Sequence, residues 1–467
     1  MRIRFPTCVL LLVLLVLPAG IEAEVLIRWD QGVVPSRESL GVSTLLVPSQ
    51  NRAAVQNALA QGYTVYLEIE AAALAGVTLP SERLAGVVVK GTASPAQLAQ
   101  LKQRLRSPGA RVLSLEDRGK WPHIRTNWVT KRNDVLQVSS RTAQPWIEQN
   151  VALVRTAQAA QAGSTPLLAY RWAPITLSQI DEGPGLEDYL VAIAEAGSFG
   201  ADLVLHLHER FQKDLLLGKP QARGWWAEIR RYIEFYSWNL PGRYRPIANL
   251  GVVTSEPMKS FEVMNLLARH NLPFEIVDPR RLASTSLAAF DLLIVLNPPP
   301  GPQLQILIDF ARKGGTVVVA GVTGSVPWQG ATPLMTTADR VTYQVGEGQI
   351  VEELKAVGDP NAFALEMRQL LGRDRRVIDI WNGITVLSAP YEEPGGKSVL
   401  VTAVNYAHQP LPVQLRVRGT YSQVHYESPE EGLTLLPYLH RDGHTEFLLP
   451  ALRIGARVFL SPEAALR

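Results

Sequence analysis

Residues 63–70 read YTVYLEIE, an alternation of period two that fits a β-strand with two unlike faces. Val65, Leu67 and Ile69 form an apolar phase suited to packing against helices. Thr64, Tyr66, Glu68 and Glu70 form a polar phase suited to the inside of a barrel. Comparable runs recur on both sides: VLIRW (25–29), VSTLLV (42–47), LAGVVVK (84–90), RVLSLE (111–116), DVLQVSS (134–140), PLLAYRW (166–172) and ADLVLHLH (201–208). Segments of helical character, 51–62, 94–106, 145–161 and 185–197, lie between them. Eight strand units in this order predict an α/β fold, a (β/α)8 TIM barrel over residues 24–243. A doubly wound open sheet is the structural alternative.

The pattern restarts beyond the barrel. Strands at 248–255, 273–278, 291–297 and 314–321, with helices at 258–270 and 302–313, predict a small α/β domain over 244–345. A connector follows at 346–374. From 375 to 467 apolar and polar residues alternate between Pro, Gly, Asn and Asp punctuation, which predicts a C-terminal antiparallel β-sandwich. At the other end, Arg2 and Arg4 precede the apolar run Cys8–Leu17 and the small residue Ala23. That order reads as a signal peptide, residues 1–23, cut near Ala23, and predicts an exported protein, periplasmic or extracellular. The apolar run is shorter than the about 20 residues of a membrane span, so no span is expected after cleavage.

Composition narrows the function classes. Of 467 residues, 46 are Lys or Arg and 43 Asp or Glu, with no long run of either sign. That balance leaves no electrostatic footprint for nucleic acid. The single cysteine, Cys8, lies in the leader, so the mature chain carries no thiol nucleophile, disulfide or thiolate metal site.

The strand phases nominate a site at the barrel mouth. Arg28 and Asp30 point inward from strand one, Glu68 and Glu70 from strand three, Lys90 from strand four, and Ser114 and Glu116 from strand five. Gln137, Ser139 and Arg141 follow from strand six, and His206 and His208 from strand eight. Glycoside hydrolysis needs two carboxyl groups, one to protonate the leaving oxygen and one to attack or activate water. Glu70 and Glu116, ending strands three and five, are the catalytic candidates. Asp30, Lys90, Asp117, Trp121, His123, Arg141, Trp172, His208 and Glu209 are the substrate-binding candidates. Eight of the ten tryptophans fall in the barrel region, where an aromatic face can stack on a sugar ring. The run 117–133 carries Trp121, His123 and Trp128 in a long polar stretch after strand five. His206 and His208 share a face and could hold a divalent ion with Asp30. Strands five and six supply no further histidine, so neither metal nor cofactor is expected. A mutually satisfied polar network, Arg28 with Glu68 and Lys90 with Glu70, is the structural alternative to a reactive cleft.

Barrel, small α/β unit and β domain, in that order, resemble secreted or periplasmic glycoside hydrolases. They are most similar to the barrel β-galactosidases with a glutamine-amidotransferase-like trimerisation domain. The resemblance rests on LGVVTSE (250–256), DLLIVLNPPP (291–300), ARKGGTVVVAG (311–321), SVLVTAVNY (398–406) and VHYESPE (424–430). It implies a carbohydrate ligand and a homo-oligomer. It also implies an inactive amidotransferase-like unit, because the cysteine nucleophile is absent. That family carries its acid/base Glu, preceded by Asn, at the end of strand four and its nucleophile at strand seven. Here those strands end VVVKG and AYRWAP, so no catalytic residue carries over. The expectation is a glycoside hydrolase-like protein acting on or binding glycans, by a two-carboxylate mechanism if active. The alternative is a non-catalytic glycan-binding or cell-envelope assembly protein on a degenerate hydrolase barrel.

Overall fold

The computed structural model describes residues 24–80, 84–105, 107, 109–125, 129–132, 135–138, 146–161, 164–172, 177–238, 240–407 and 409–462. Seven parallel strands close a barrel: β1 (Val25–Arg28), β2 (Thr44–Pro48), β3 (Thr64–Glu70), β4 (Gly86–Lys90), β5 (Arg111–Lys120), β6 (Leu167–Arg171) and β7 (Asp202–His206). Around the barrel the order is β1-β7-β6-β5-β4-β3-β2, returning to β1. The alternation of YTVYLEIE acts as expected. Val65, Leu67 and Ile69 join the apolar layer under the helices, whereas Tyr66 joins a separate cluster inside the barrel.

The eighth strand is the main departure. Val135–Val138 pairs antiparallel with Val129–Arg132 in a hairpin outside the barrel, and β5 pairs directly with β6. Gln137 therefore belongs to the hairpin and not to the lumen; Ser139 and Arg141 lie outside the described residues. The missed signal is Asn133-Asp134, a turn-forming pair between two alternating runs. The stretch after Glu116 is not an open loop either. β5 runs on to Lys120, and His123–Arg125 pairs with Trp146–Glu148.

Helices cover the barrel where the sequence places them. Arg52–Ala60 is capped by the Asn51 side chain, and Pro95–Arg104 opens on a capping box of Ser94 and Gln97. Leu186–Phe199, labelled α1, is buried along almost its whole length and ends at Gly200 in the left-handed region. Its inner side also meets the C-terminal domain. The Ser198 carbonyl accepts hydrogen bonds from Tyr391 Oη (2.7 Å) and Thr402 Oγ1 (2.9 Å). The long helix Pro220–Tyr236, α2, lies against α1, with Tyr236 1% exposed. A Cβ at Gly197 would sit 2.3 Å from the Tyr236 ring. Alanine would gain about 1 kcal/mol of helix propensity there, but the hydroxyl end of the ring already abuts Gly455, which limits how far the ring can move. Gly197→Ala is therefore expected to lose about 1–3 kcal/mol net. A thermal melt with an unchanged or raised midpoint would contradict that packing.

The middle unit contains a seven-stranded sheet. Its parallel part runs Phe274–Val277, Leu250–Val253, Leu292–Leu296, Thr316–Ala320 and Gly348–Glu353. The segment read as a connector thus supplies a strand of this sheet and the helix Pro360–Leu371, which packs on Phe261–Arg269. Beyond it, two antiparallel sheets of six and four strands enclose one apolar cluster that includes Val386, Val401, Val413, Leu449 and Val458. Arg245–Pro246 already pairs with Val386–Glu392, so the chain visits this domain before building the middle one. One continuous cluster, from Leu205 through Tyr236, Leu250 and Met264 to Leu400 and Ile454, ties the three units together. Arg457 of the last strand lies 3.9 Å over the Phe235 ring and 3.8 Å over the Trp238 ring. Among the described residues, no helix is long and apolar enough to cross a membrane.

Candidate site at the barrel mouth

The lumen is layered. Leu26, Leu46, Tyr66, Val88, Leu115, Leu167 and Val204 fill its lower part with apolar side chains. Above them, at or near the carboxyl ends of six of the strands, stand charged or polar residues: Arg28, Glu68 followed by Glu70, Lys90, Asp117, Arg171 and His206. A cavity of about 950 Å³ opens there, at the carboxyl ends of the strands.

Arg28 organises one side. Its Nε and Nη2 donate to both oxygens of Glu68 (2.8 and 3.0 Å), and its Nη1 donates to Asp30 at 2.6 and 2.8 Å. Glu68 is only 6% exposed, so this bidentate pair supplies its charge compensation. Asp30 also lies 2.8 Å from His206 Nε2. Buried Gln212 fixes the loop by accepting from Asp30 N (2.8 Å) and donating to the Leu207 carbonyl (2.6 Å). Burial pushes the Asp30 carboxyl up, but the His206 hydrogen bond and the Arg28 charge outweigh it and hold it below the usual range. Burial likewise opposes the Arg28 charge, and the hydrogen bond and charge of Glu68 more than offset it.

Lys90 and Arg171 organise the other side. Arg171 donates to both oxygens of Asp117 (3.3 and 3.2 Å). Lys90 Nζ sits 3.3 Å from Glu70 and 3.8 Å from Asp117. At the rim, Glu209 pairs with Lys213 one helical turn on. His208 caps that helix: its Nδ1 accepts from Arg210 N, so Nε2 carries the proton and donates to the Ile180 carbonyl at 3.1 Å.

Of the residues nominated from sequence, Asp30, Lys90, Asp117, Trp121, Trp172, His208 and Glu209 line the cavity. Trp121 is 4% exposed and packs edge-on against Tyr189 at 5.3 Å, so most of it is core. His123 is outside the lining; its ring lies 6.4 Å from Trp172. Arg141 lies outside the described residues. Glu70 is over half exposed and stands at the rim beside Lys90, outside the cavity lining.

Glu116 requires a correction. On β5 the inner phase is Leu113, Leu115 and Asp117, so Ser114 and Glu116 lie on the outer face. Leu113 and Leu115 fill the lumen instead of meeting the helices, so polarity misreports the phase of this strand. The register between β5 and β6 also shifts, with Leu168 opposite Glu116 but Tyr170 opposite Gly119. Such a bulge re-aims side chains at a strand end. It sits where Asp117 and Arg171 meet. Arg171 and Gln212 were not legible as site residues: the phase of PLLAYRW is ambiguous, and a helical Gln carries no pattern of its own.

No family model matches the chain, and no curated protein matches it. Among solved structures, the α-L-fucosidase isoenzyme 2 from Paenibacillus thiaminolyticus superposes with a TM-score of 0.56 at 10% identity, over 94% of this chain and 99% of that one. A β-galactosidase from Rahnella sp. R3 reaches a TM-score of 0.42 at 11% identity, over 88% of this chain and 66% of that one. The exo-β-1,4-mannosidase Op5Man5 from Opitutaceae bacterium strain TAV5 reaches 0.43 at 12% identity, over 74% and 94% respectively. The fucosidase likeness, together with the closed parallel barrel, gives this chain a glycoside hydrolase-like fold.

Proposed function

We propose that the protein is an exported carbohydrate-binding protein whose barrel mouth takes a glycan without hydrolysing it. One observation carries this reading: among the described residues, the four carboxylates lining the cavity, Asp30, Glu68, Asp117 and Glu209, each have a cation within 4 Å. A general acid for glycosidic cleavage keeps its proton because it sits in an apolar pocket away from cations. In this cavity each carboxylate would have to surrender a guanidinium or ammonium first. The same pairs suit recognition, because a sugar offers hydroxyls that can join charged hydrogen bonds, while partly exposed Trp172 supplies an aromatic wall.

A second reading keeps hydrolysis, with Glu70 and Asp117 as the carboxyl pair. The observation favouring it is proximity: from strands on either side of β4, both carboxyl groups lie within 4 Å of one atom, Lys90 Nζ, at 3.3 and 3.8 Å, close enough together to act as a pair. Calorimetric titration of an oligosaccharide panel, paired with a reducing-sugar assay on each binder, separates the two. Binding without sugar release is the expected result, with Trp172→Ala weakening it by about 1–2 kcal/mol, roughly five- to thirtyfold. Turnover that disappears in both Glu70→Gln and Asp117→Asn would establish the second reading. A panel with neither binding nor turnover would remove both.

A further inference from the structure

The end of the barrel opposite the mouth holds a carboxylate with an unusual neighbour. Asp202 opens β7 and is 2% exposed. Its Oδ1 accepts a hydrogen bond from the backbone nitrogen of Glu24 at 2.8 Å. Glu24 is the residue immediately before β1, and its carbonyl accepts from Leu203 N at 3.0 Å, so that nitrogen is held in register with β7. The other charged or titratable groups facing Asp202 are the Glu24 carboxylate, Arg111 of β5 and Tyr66 of β3. Arg111 is already engaged, 2.8 Å from Glu24 Oε2. Burial, with the Glu24 charge adding to it, pushes the Asp202 carboxyl up to about 7 against the Glu24 hydrogen bond and Arg111.

Sequence places a cut at this same nitrogen. The basic, apolar and small-residue order of residues 2–23 ends at Ala23, and the next backbone nitrogen is that of Glu24. While the peptide bond is intact, this nitrogen is an amide with one proton and no net charge. Freed, it is an α-ammonium with three donors and a full positive charge below its usual value of about 8.

We propose that a leader peptidase hydrolyses the Ala23–Glu24 bond and that the ammonium so made completes the barrel floor as an ion pair with Asp202. Water is the co-reactant: its oxygen leaves with Ala23 as a carboxylate, and the Glu24 nitrogen takes up the protons of the ammonium. Before the cut, the buried acid meets a neutral amide at this nitrogen, 2.8 Å away; the cut puts a cation at the same atom. Processing thus strengthens β1–β7, the seam at which the barrel closes. The proposal concerns the floor alone and does not depend on what the mouth binds.

Two chains test it: one beginning at Glu24 and one beginning at Ala23, each released from a fusion by a protease that leaves the chosen first residue. At pH 7 the Glu24 chain is expected to melt a few degrees higher. Its midpoint should also fall less between pH 5 and pH 7.5. The sign follows from the raised carboxyl: an acid whose folded pKa lies above its unfolded value loses stability as pH rises toward the folded value. A cation beside it shrinks that loss. In Asp202→Asn the two chains should melt together. If that variant does not fold, the rate of α-amine acylation at pH 7 replaces it, expected at least tenfold slower in the folded Glu24 chain than in urea. Equal midpoints, a difference that survives Asp202→Asn, an unprotected α-amine, or an exported protein whose first residue by mass spectrometry is not Glu24 would each overturn the proposal.

Discussion

Arg28→Met is expected to lower the unfolding free energy by about 3 kcal/mol, the lower end of the range for breaking a buried ion pair. The loss comes from what is left behind. Glu68, 6% exposed, would keep its charge with neither of its guanidinium donors, and Asp30 would lose two short contacts. The cavity lets water reach part of this network, which keeps the figure from the upper end. Methionine fills most of the arginine stem, so the effect reports charge more than volume. Adding Glu68→Gln should recover a large part of the loss, because the orphaned charge is then gone. Urea unfolding followed by tryptophan fluorescence measures both variants. A single variant within 0.5 kcal/mol of wild type, on the order of an ordinary surface change, would mean that Arg28 does not organise the mouth.

Glu195→Ala should cost on the order of 3–5 kcal/mol, by a different mechanism. Glu195 lies on α1 with no exposed surface. It accepts from Asn150 N at 3.0 Å, Asn150 Nδ2 at 2.7 Å and Tyr406 Oη at 2.5 Å. Asn150 belongs to the barrel and Tyr406 to the C-terminal β domain, so one carboxyl joins two units. Alanine would remove the acceptor of Asn150 N and Tyr406 Oη, leave Asn150 Nδ2 only the Lys120 carbonyl, and open a cavity. Glutamine keeps an acceptor and most of the volume, and should lose about 1–2 kcal/mol. Burial pushes the Glu195 carboxyl above its usual range, against hydrogen bonds from Tyr406 and Asn150. Its contribution to stability is therefore complete below the unfolded value and declines as pH rises through the folded one. Glu195→Gln should flatten that limb of the stability–pH curve. A curve that keeps its shape in the glutamine variant would assign the titration to another group.

These two residues show how unevenly the molecule was legible. Arg28 and Glu68 were readable as a pair because β1 and β3 alternate cleanly. Glu195 was not, since a lone acid in an apolar helix gives no sign of a partner more than 200 residues away. Trp121 read as a ligand platform because its loop is polar; packing against Tyr189 makes it largely core. His208 read as an inward strand residue and is in fact a helix cap beside the cavity.

Sequence alone determined most of the barrel's strands and helices and most of the polar residues around its mouth. Those properties follow from local periodicity, which each segment carries within itself. Tertiary structure decided that the barrel closes with seven strands, that Asp117 and not Glu116 faces the lumen, and that each described carboxylate lining the cavity meets a cation. Closure depends on which strand edges find each other. Phase depends on whether an apolar side chain is wanted inside the barrel or beneath a helix, and pairing depends on which charges end on neighbouring strands. None of these is a property of one segment.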